Sequence, residues 1–483
     1  MQYGVILRIL GLLLMLFSLT MLPPILVGYM MGDPDVSNFW IGFGSVWLIG
    51  FCMWLPVRKC RNELRLRDGY LIAVLFWVGL SAAATIPLSM SKVLDLSLAS
   101  AFFETVSGFT TTGATVIVGL DSLPRSINFY RMELHWLGGM GIIVLAVAIL
   151  PMLGIGGMQL YKAEAPGPVK DAKLTPRITE TAKLLWYVYL GATILGIVLF
   201  VWGGMDWFDA ICHSFSAIST GGFSTHDSSM GYFDNPFLDY ACIFIMFLGG
   251  INFALHFAAW HSRNWLVYLH DSEFRVYVWI MVATVVVCVG VLMAHGTYPD
   301  FLSALRYSMF QAVSIMTSTG LNLTDFSVWP SLLPVLLIFT SFVGGCAGST
   351  GGGLKVIRVL LLMKQGWREV NLLSHPRAHM HVKVNGEPIP NNVASAVWGF
   401  FSMYVAVFSV FMLGMMAVGH DQVTAFSAVA ACLNNMGVGL GSVSSNFSEL
   451  DEFTKWWLSA AMLMGRLELF TVLVLFSPAF WRR

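Results

Sequence analysis

Charge is what this sequence has least of. Only 11% of its 483 residues are Asp, Glu, Lys or Arg, against 57% hydrophobic, too little polar surface to clothe several soluble domains. A disulfide framework is absent as well. The seven cysteines are odd in number, and Cys52, Cys212, Cys242, Cys288, Cys346 and Cys432 lie in apolar stretches, where they read as packing residues. The first apolar run, Val5 to Met31, does not read as a cleavable leader, being longer than the ~7–15 residues of a signal core and without a small-residue cleavage site before Gly32. The chain reads as an integral membrane protein with a retained first span.

Apolar runs of about 20 residues, enough to cross a hydrocarbon core of ~30 Å, recur from end to end. The formal net charge is zero and becomes informative only when charges are sorted by side. Basic residues cluster in "RKCRNELRLR" (58–67), in "YKAEAPGPVKDAKLTPR" (161–177), near Arg263 and Arg275, from Lys355 to Lys383, and at Arg482 and Arg483. The positive-inside rule makes these connections and both termini cytoplasmic. Acids fill the opposite connections: Asp33, Asp35, Asp95, Asp121, Asp206, Asp209, Asp227, Asp234, Asp300, Asp325, Asp421, Asp451 and Glu452. An acidic outer face attracts cations. Trp136, Trp207, Trp329 and Trp456, near span ends, fit interfacial belts.

One motif is repeated. "AFFETVSGFTTTGAT" (101–115) aligns without a gap with "AICHSFSAISTGGFS" (210–224), "SMFQAVSIMTSTGLN" (308–322) and "AFSAVAACLNNMGVG" (425–439), so Gly113, Gly222, Gly320 and Gly437 share one position. Apolar spans flank each copy: 70–90 and 127–153, 184–204 and 236–258, 276–295 and 329–363, 393–418 and 453–477. Two further spans, 5–31 and 39–57, precede them. The short helix in each copy starts near a cap (Asp95, Asp206 and Asp209, Asp300, Asp421) and has about a dozen residues, too few to cross, so it must enter the membrane and return. Non-helical backbone at that depth is tolerated only where protein or water surrounds it. Four such loops around an axis make a ring of carbonyls that can replace the hydration shell of a potassium ion, with glycine permitting the turn and Thr110 to Thr112 and Thr115 serving loop amides.

The motifs "SGFTTTGAT", "GGFSTHD" (221–227), "GGCAGSTGGGLKVIR" (344–358), "NNMGVGLG" (434–441) and "MGRLELFT" (464–471) together resemble the Trk/Ktr/HKT superfamily of potassium transporters, in its bacterial Trk-type membrane subunit, over the whole chain. The resemblance implies a pseudo-fourfold pore, a homodimer in the bacterial inner membrane, and a cytosolic regulatory ring that binds nucleotide, this chain carrying no organic cofactor. By position it implies ion-coordinating carbonyls on Thr111 and Thr112, Thr220 and Gly221, Ser318 and Thr319, Asn435 and Met436, each pair preceding its filter glycine, Gly113, Gly222, Gly320 or Gly437. The fourth loop departs most, with Asn434, Asn435 and Met436 in place of hydroxyls. In related proteins serine at the first filter glycine accompanies sodium transport, so Gly113 favours potassium.

The stretch "CAGSTGGGLK" (346–355) has Gly348 and Gly353 at phosphate-loop spacing, but Leu354 stands where that loop needs lysine. Ser349 fails as a nucleophile elbow, because Ala347 replaces the required glycine. A flexible break without a role is the bland alternative. The reading adopted is an intramembrane gate below the filter, since Gly351, Gly352 and Gly353 interrupt a helix on the third unit only; the gate set is Gly348, Gly351 to Gly353, Lys355 and Arg466. Arg466 and Glu468 lie mid-span, where a structural ion pair competes with a gate contact. His135, His213 and His256 form no metal-ligand spacing, and His213 takes the repeat position of Glu104 and Gln311, as a polar residue bonding its loop.

The expected architecture is all-α, with ten spans and four re-entrant helices: leading spans in 1–69 and pore units 70–183, 184–275, 276–392 with the gating loop 344–355, and 393–483. Its function is potassium uptake by selective permeation, with no enzyme activity and no nucleic-acid partner. Rivals are a symporter coupling potassium to protons or sodium, and a sodium-permeable relative. An even number of spans separates the units, giving all four one orientation, unlike the inverted repeats of most symporters.

Overall fold

Backbone amides and carbonyls have no water to bond in a hydrocarbon layer, so an apolar run must satisfy them within itself, and a helix does this. Residues 1–60, 65–141, 178–378 and 380–482 are described by the structure, a computed structural model. Helices α1 (Tyr3–Ser18) and α2 (Leu22–Met31) are joined by one 3-10 turn into a 29-residue span. It stops at Gly32, whose φ of +73° is left-handed. Helix α3 (Val36–Trp54) returns against α1. Gly11 and Gly50 face each other so closely that a Cβ on either would lie 2.7 Å from the other's carbonyl oxygen, the close crossing that small residues permit.

Four units follow. The first contains α4 (Leu66–Ser89), α5 (Leu98–Phe109) and α6 (Arg125–Trp136), which runs into a π turn at Leu137–Gly141. The second contains α7 (Ile178–Trp202), α8 (Trp207–Ile218), α9 (Pro236–Gly249) and α10 (Phe253–Ser262), followed by the short α11 (Leu266–His270). The third contains α12 (Ser272–Ala294), α13 (Phe301–Met316), α14 (Leu332–Val343) and α15 (Val356–Ser374). The fourth contains α16 (Asn391–Val418), α17 (Gln422–Leu433), α18 (Glu452–Arg466), α19 (Leu469–Phe476) and the terminal α20 (Pro478–Trp481). Among the described residues, six helices or joined runs are long and apolar enough to span, and two bent pairs, α9 with α10 and α18 with α19, pass the same test together.

Several expectations change. The second span is not continuous in three units: α9 and α10 meet at 95°, α18 and α19 at 114°, and α14 is separated from α15 by residues 344–355. In the first unit the expected span 127–153 and the basic segment 161–177 reach into residues outside the described ones. The all-α expectation misses one hairpin, Lys383–Val384 paired antiparallel with Glu387–Pro388. Its two turn residues, Asn385 and Gly386, are both left-handed (φ 52° and 85°), the geometry that Asn-Gly favours in hairpins. Of the expected interfacial tryptophans, Trp329 is instead buried in the core, and Trp136 is half-buried and stacks on Phe215 at 5.1 Å.

Both chain ends lie at one end of the molecule. The Gln2 amide donates to Asp68 at 3.1 Å, and Arg67 in the first turn of α4 donates to the Arg482 carbonyl at 2.7 Å.

Candidate functional site

The short helices α5, α8, α13 and α17 start and stop by one chemistry. Each starts on a cap whose side chain accepts an early backbone amide: Ser97 from Ser100, Asp206 from Asp209, Asp300 from Ser303, and Asp421 from Val423 and Thr424. In the first unit the cap is Ser97 and not the expected Asp95. Each stops with a left-handed residue that is not glycine: Thr111 (φ 53°), Thr220 (53°), Ser318 (58°) and Asn435 (53°). The next amide then reaches back five residues, Thr112 to Ser107 (2.8 Å), Gly221 to Ser216 (2.8 Å), Thr319 to Ser314 (2.7 Å) and Met436 to Ala431 (2.8 Å). This is the Schellman stop, which satisfies carbonyls the ending helix would orphan.

The aligned glycines come next, again left-handed: Gly113 (83°), Gly222 (93°), Gly320 (82°) and Gly437 (79°). Their α carbons touch one another's loops in cyclic order. A Cβ on Gly113 would overlap the Gly221 carbonyl, one on Gly222 the Thr319 carbonyl, one on Gly320 the Met436 carbonyl, and one on Gly437 the Thr112 carbonyl. Each contact is with the residue before the next glycine, and the fourth returns to the first. The four loops therefore close into a ring. Among the described residues, no backbone carbonyl of Thr111–Gly113, Thr220–Gly222, Ser318–Gly320 or Asn435–Gly437 accepts a hydrogen bond. Buried carbonyls are otherwise almost always paired. Twelve free acceptors around a closed ring, at the negative ends of four helix dipoles, have the chemistry that suits a cation.

Side chains brace the loops from behind. In the first and third units the hydroxyls interlock, Thr110 with Thr112 at 2.8 Å and Thr317 with Thr319 at 2.7 Å. In the fourth, Asn435 donates to Thr112 (2.9 Å) and to the Met462 carbonyl (3.0 Å), while Asn434 donates to Ser341 (2.9 Å). The shared position of Glu104, His213 and Gln311 does bond its loop. Glu104 accepts the Val116 amide at 2.9 Å, His213 meets Ser224 Oγ at 2.9 Å, and Gln311 donates to the Thr324 carbonyl at 2.7 Å. Ala428 is the fourth counterpart, and its neighbour Ser427 takes the task by bonding the Leu440 amide at 2.8 Å. Glu104 is neutralised by Arg131 at 2.8 Å, both side chains fully buried. His135 spans two units: Nδ1 lies 2.7 Å from the Gly108 carbonyl and Nε2 accepts the Phe223 amide at 3.1 Å, so the Nδ1–H tautomer fits. His256 bonds Tyr268 and the Leu248 carbonyl. No cluster of metal-ligating side chains occurs among the described residues.

Residues 344–355 form a bridge beneath the ring. It is tied to the ends of α8 and α9: the Cys346 amide donates to the Gly250 carbonyl (2.8 Å), and the Thr350 hydroxyl to the carbonyls of Ile218 and Gly249 (both 3.0 Å). It also touches the loops: the Gly352 amide donates to Ser318 Oγ, and a Cβ on Gly351 would meet the Thr317 carbonyl at 2.7 Å. Gly348 and Gly353 are left-handed, as is Lys355 (φ 77°), whose ammonium donates to the Gly351 carbonyl. Arg466 bonds three carbonyls, Thr350 on the bridge (2.9 Å) and Gly138 (2.7 Å) and Gly139 (2.8 Å) at the end of the first unit. Glu468, the expected partner in the competing ion pair, is paired with Arg358 at 2.8 Å.

A second repeat was missed in the sequence. "LGGMG" (137–141), "LGGIN" (248–252), "VGGCA" (343–347) and "MGRLE" (464–468) share one pattern; the last three mark the break in their second span, and the first forms the π turn that follows α6. The first glycine lets the short helix end approach: a Cβ would overlap the Phe109 carbonyl at Gly138 and the Leu433 carbonyl at Gly465, and would lie 2.9 Å from the Ile218 carbonyl at Gly249. The break thus recurs in the second, third and fourth units, and of these three the third alone carries the long bridge. Arg466 fills the second glycine's position in the fourth.

On the acidic side, His226 lies between Asp121 (2.5 Å) and Asp209 (3.2 Å) and stacks on Tyr232 at 3.5 Å. Burial alone would lower its pKa, but hydrogen bonds to Asp209 and Asp121 and their charges outweigh it, raising the imidazole above its usual 6.5. The bond to His226 in turn holds Asp121 below its usual 3.8.

The family model described as "TrkH: Cation transport protein" matches residues 36–483. The chain is similar to the Trk system potassium uptake protein TrkH of Vibrio parahaemolyticus, 54% identical with both chains fully covered, and to that of Escherichia coli, 50% identical, again over 100% of each. Among solved structures it is similar to the crystal structure of the potassium transporter TrkH from Vibrio parahaemolyticus, with a TM-score of 0.91, 51% identity and full coverage of both chains.

Proposed function

The chain belongs to the TrkH family of cation transport proteins and takes up potassium, and from that premise we propose that the ion crosses through the ring of four loops and is gated at the bridge beneath it. The observation that carries this reading is the cyclic contact of the four glycines, with the unpaired carbonyls beside them. Thr111, Thr112, Thr220, Gly221, Ser318, Thr319, Asn435 and Met436 supply the coordinating oxygens, and Gly113, Gly222, Gly320 and Gly437 set the spacing. Carbonyls held by neighbouring loops need little reorganisation when an ion sheds its water, which is how a filter offsets dehydration. No covalent chemistry is involved, and the protein is a transporter and not an enzyme.

The fold has ten spans in this reading, counting each broken second helix as one, and α5, α8, α13 and α17 are the four re-entrant helices. The basic end that carries both termini faces the cytoplasm across the bacterial inner membrane. There a nucleotide-binding regulatory subunit docks, and two copies of the chain associate through lipid-exposed helices. Arg466 holds the bridge closed by gripping carbonyls on both sides of the path.

Flux in proteoliposomes under separate potassium and sodium gradients tests this. Potassium should move down its own gradient without a second coupled ion. Uptake that requires a proton or sodium gradient would replace the pore with a symporter.

A further inference from the structure

The bridge has a third kind of hold, one that comes from outside the pore. Glu273, in the first turn of α12, is buried, and one of its oxygens, Oε1, accepts both the Ala347 amide at 2.7 Å and the Ile357 amide at 3.1 Å. Those two amides bracket the bridge: Ala347 lies near its start, and Ile357 in the first turn of α15 just after its end. Helix α15 needs the help. Its N-cap, Lys355, is left-handed and has no side-chain hydrogen bond to the first turn, so an amide orphaned at that helix start is met by a carboxylate from another helix.

The start of α12 is itself held by the hairpin. Asn385 Oδ1 accepts the Ser272 amide at 2.7 Å, Ser272 Oγ accepts the Asn385 amide at 3.2 Å, and Asn385 Nδ2 donates to Asp271 at 3.2 Å. From α15, Lys364 donates to the Lys383 carbonyl at 2.7 Å. The hairpin thus touches both helices that meet at Glu273.

We propose that Glu273 is a positioning residue that latches both ends of the bridge, and that the 383–388 hairpin transmits a load from that end of the molecule to the latch. The inference rests on the reading of the bridge as the gate. A shift of the α12 start relative to α15 withdraws one carboxylate and frees two amides at once, which makes a two-state element from a single side chain. A docked regulator that grips the hairpin differently in two states would bias it.

The test uses the full chain in proteoliposomes without a regulatory subunit, with potassium flux and maleimide modification of Cys346, a buried bridge residue, mapped by mass spectrometry. E273A should raise flux severalfold and speed Cys346 modification, while E273Q, which keeps an acceptor oxygen, should match the parent. E273D, one methylene short of reaching both amides, should fall between and carries the test if E273A does not fold. N385A should move both readouts the same way by less. Potassium over sodium selectivity should stay unchanged throughout. A variant shortened in 347–352 serves as the control for the gate itself. If it raises flux while E273A and E273D change neither readout, the latch is overturned; if E273A acts and N385A does not, the hairpin's part is overturned. No increase from the shortened variant would instead defeat the gate reading.

Discussion

A single methyl group decides whether the ring can close. Gly113 is left-handed at φ 83°, and a Cβ there would overlap the Gly221 carbonyl of the next loop, so Gly113→Ser strains its own backbone and displaces a neighbour's oxygen. We expect more sodium relative to potassium to pass, measured as a shift in ion-replacement currents, and the same direction for Gly222, Gly320 and Gly437 changed singly. Unchanged permeability ratios would place the filter elsewhere. The buried pair behind the first loop gives a different prediction. Arg131→Met leaves Glu104 charged and unpaired, which should destabilise by about 3–5 kcal/mol. Glu104→Gln keeps an acceptor oxygen for the Val116 amide, and Gln311 holds its own loop without a charge, so adding Glu104→Gln should recover most of the loss in a detergent melting assay. Failure of the double variant to recover would mean that Arg131's bond to the Ser224 carbonyl and its seat over the Phe223 ring matter more than the charge.

At the scale of elements, the four loops were legible because their chemistry leaves a mark in every copy: a cap, a short helix of 12 residues in three copies and 16 in the third unit, and a glycine in register. The breaks in the second spans were not. Each carries only two or three distinctive residues, and Arg466 disguises the fourth by standing where the others have glycine. Apolar composition on both sides read as continuous span. Glu273 was invisible for another reason, since its partners are 74 and 84 residues away and nothing local marks the pairing. The bridge yields the next prediction. Shortening 347–352 or changing Arg466 to Ala should raise flux in the absence of any regulator while preserving selectivity, because carbonyl contacts are lost below the ring and none within it. Equal flux in folded variants would move the gate. The outer clasp offers a pH test. A raised His226 pKa means its contribution is complete below 6.5 and is lost as pH rises through the folded value, while the lowered Asp121 value means loss only well into acid, below 3.8. The gap in melting temperature between the parent and His226→Gln should therefore be widest between those limits and narrow above them. A gap constant across that range would mean that the clasp works through packing on Tyr232 alone.

Among the described residues, Arg67 and Arg482 lie at the end bearing the chain termini, while Asp121, Asp209 and Asp227 gather on the opposite, acidic side. That asymmetry should matter to the rate at which potassium arrives, since a field of one sign over a narrow entrance raises local cation concentration. The acids are not free charges, however. Asp121 belongs to the His226 clasp, Asp325 accepts the Ser327 amide at 2.9 Å, and Asp451 caps α18 by accepting the Thr454 amide at 3.0 Å. Removing their side chains would damage loops and helix starts as well as the field. Asn keeps an acceptor oxygen in each place and deletes only the charge. The triple variant Asp121→Asn, Asp325→Asn, Asp451→Asn should therefore take up potassium more slowly at low ionic strength and approach the parent as salt rises, because the field is screened over about 8 Å at physiological ionic strength. Initial uptake rates across a choline chloride series, at fixed potassium, distinguish the two effects. A deficit of equal size at every salt concentration would assign these acids to structure and leave the mouth without electrostatic steering.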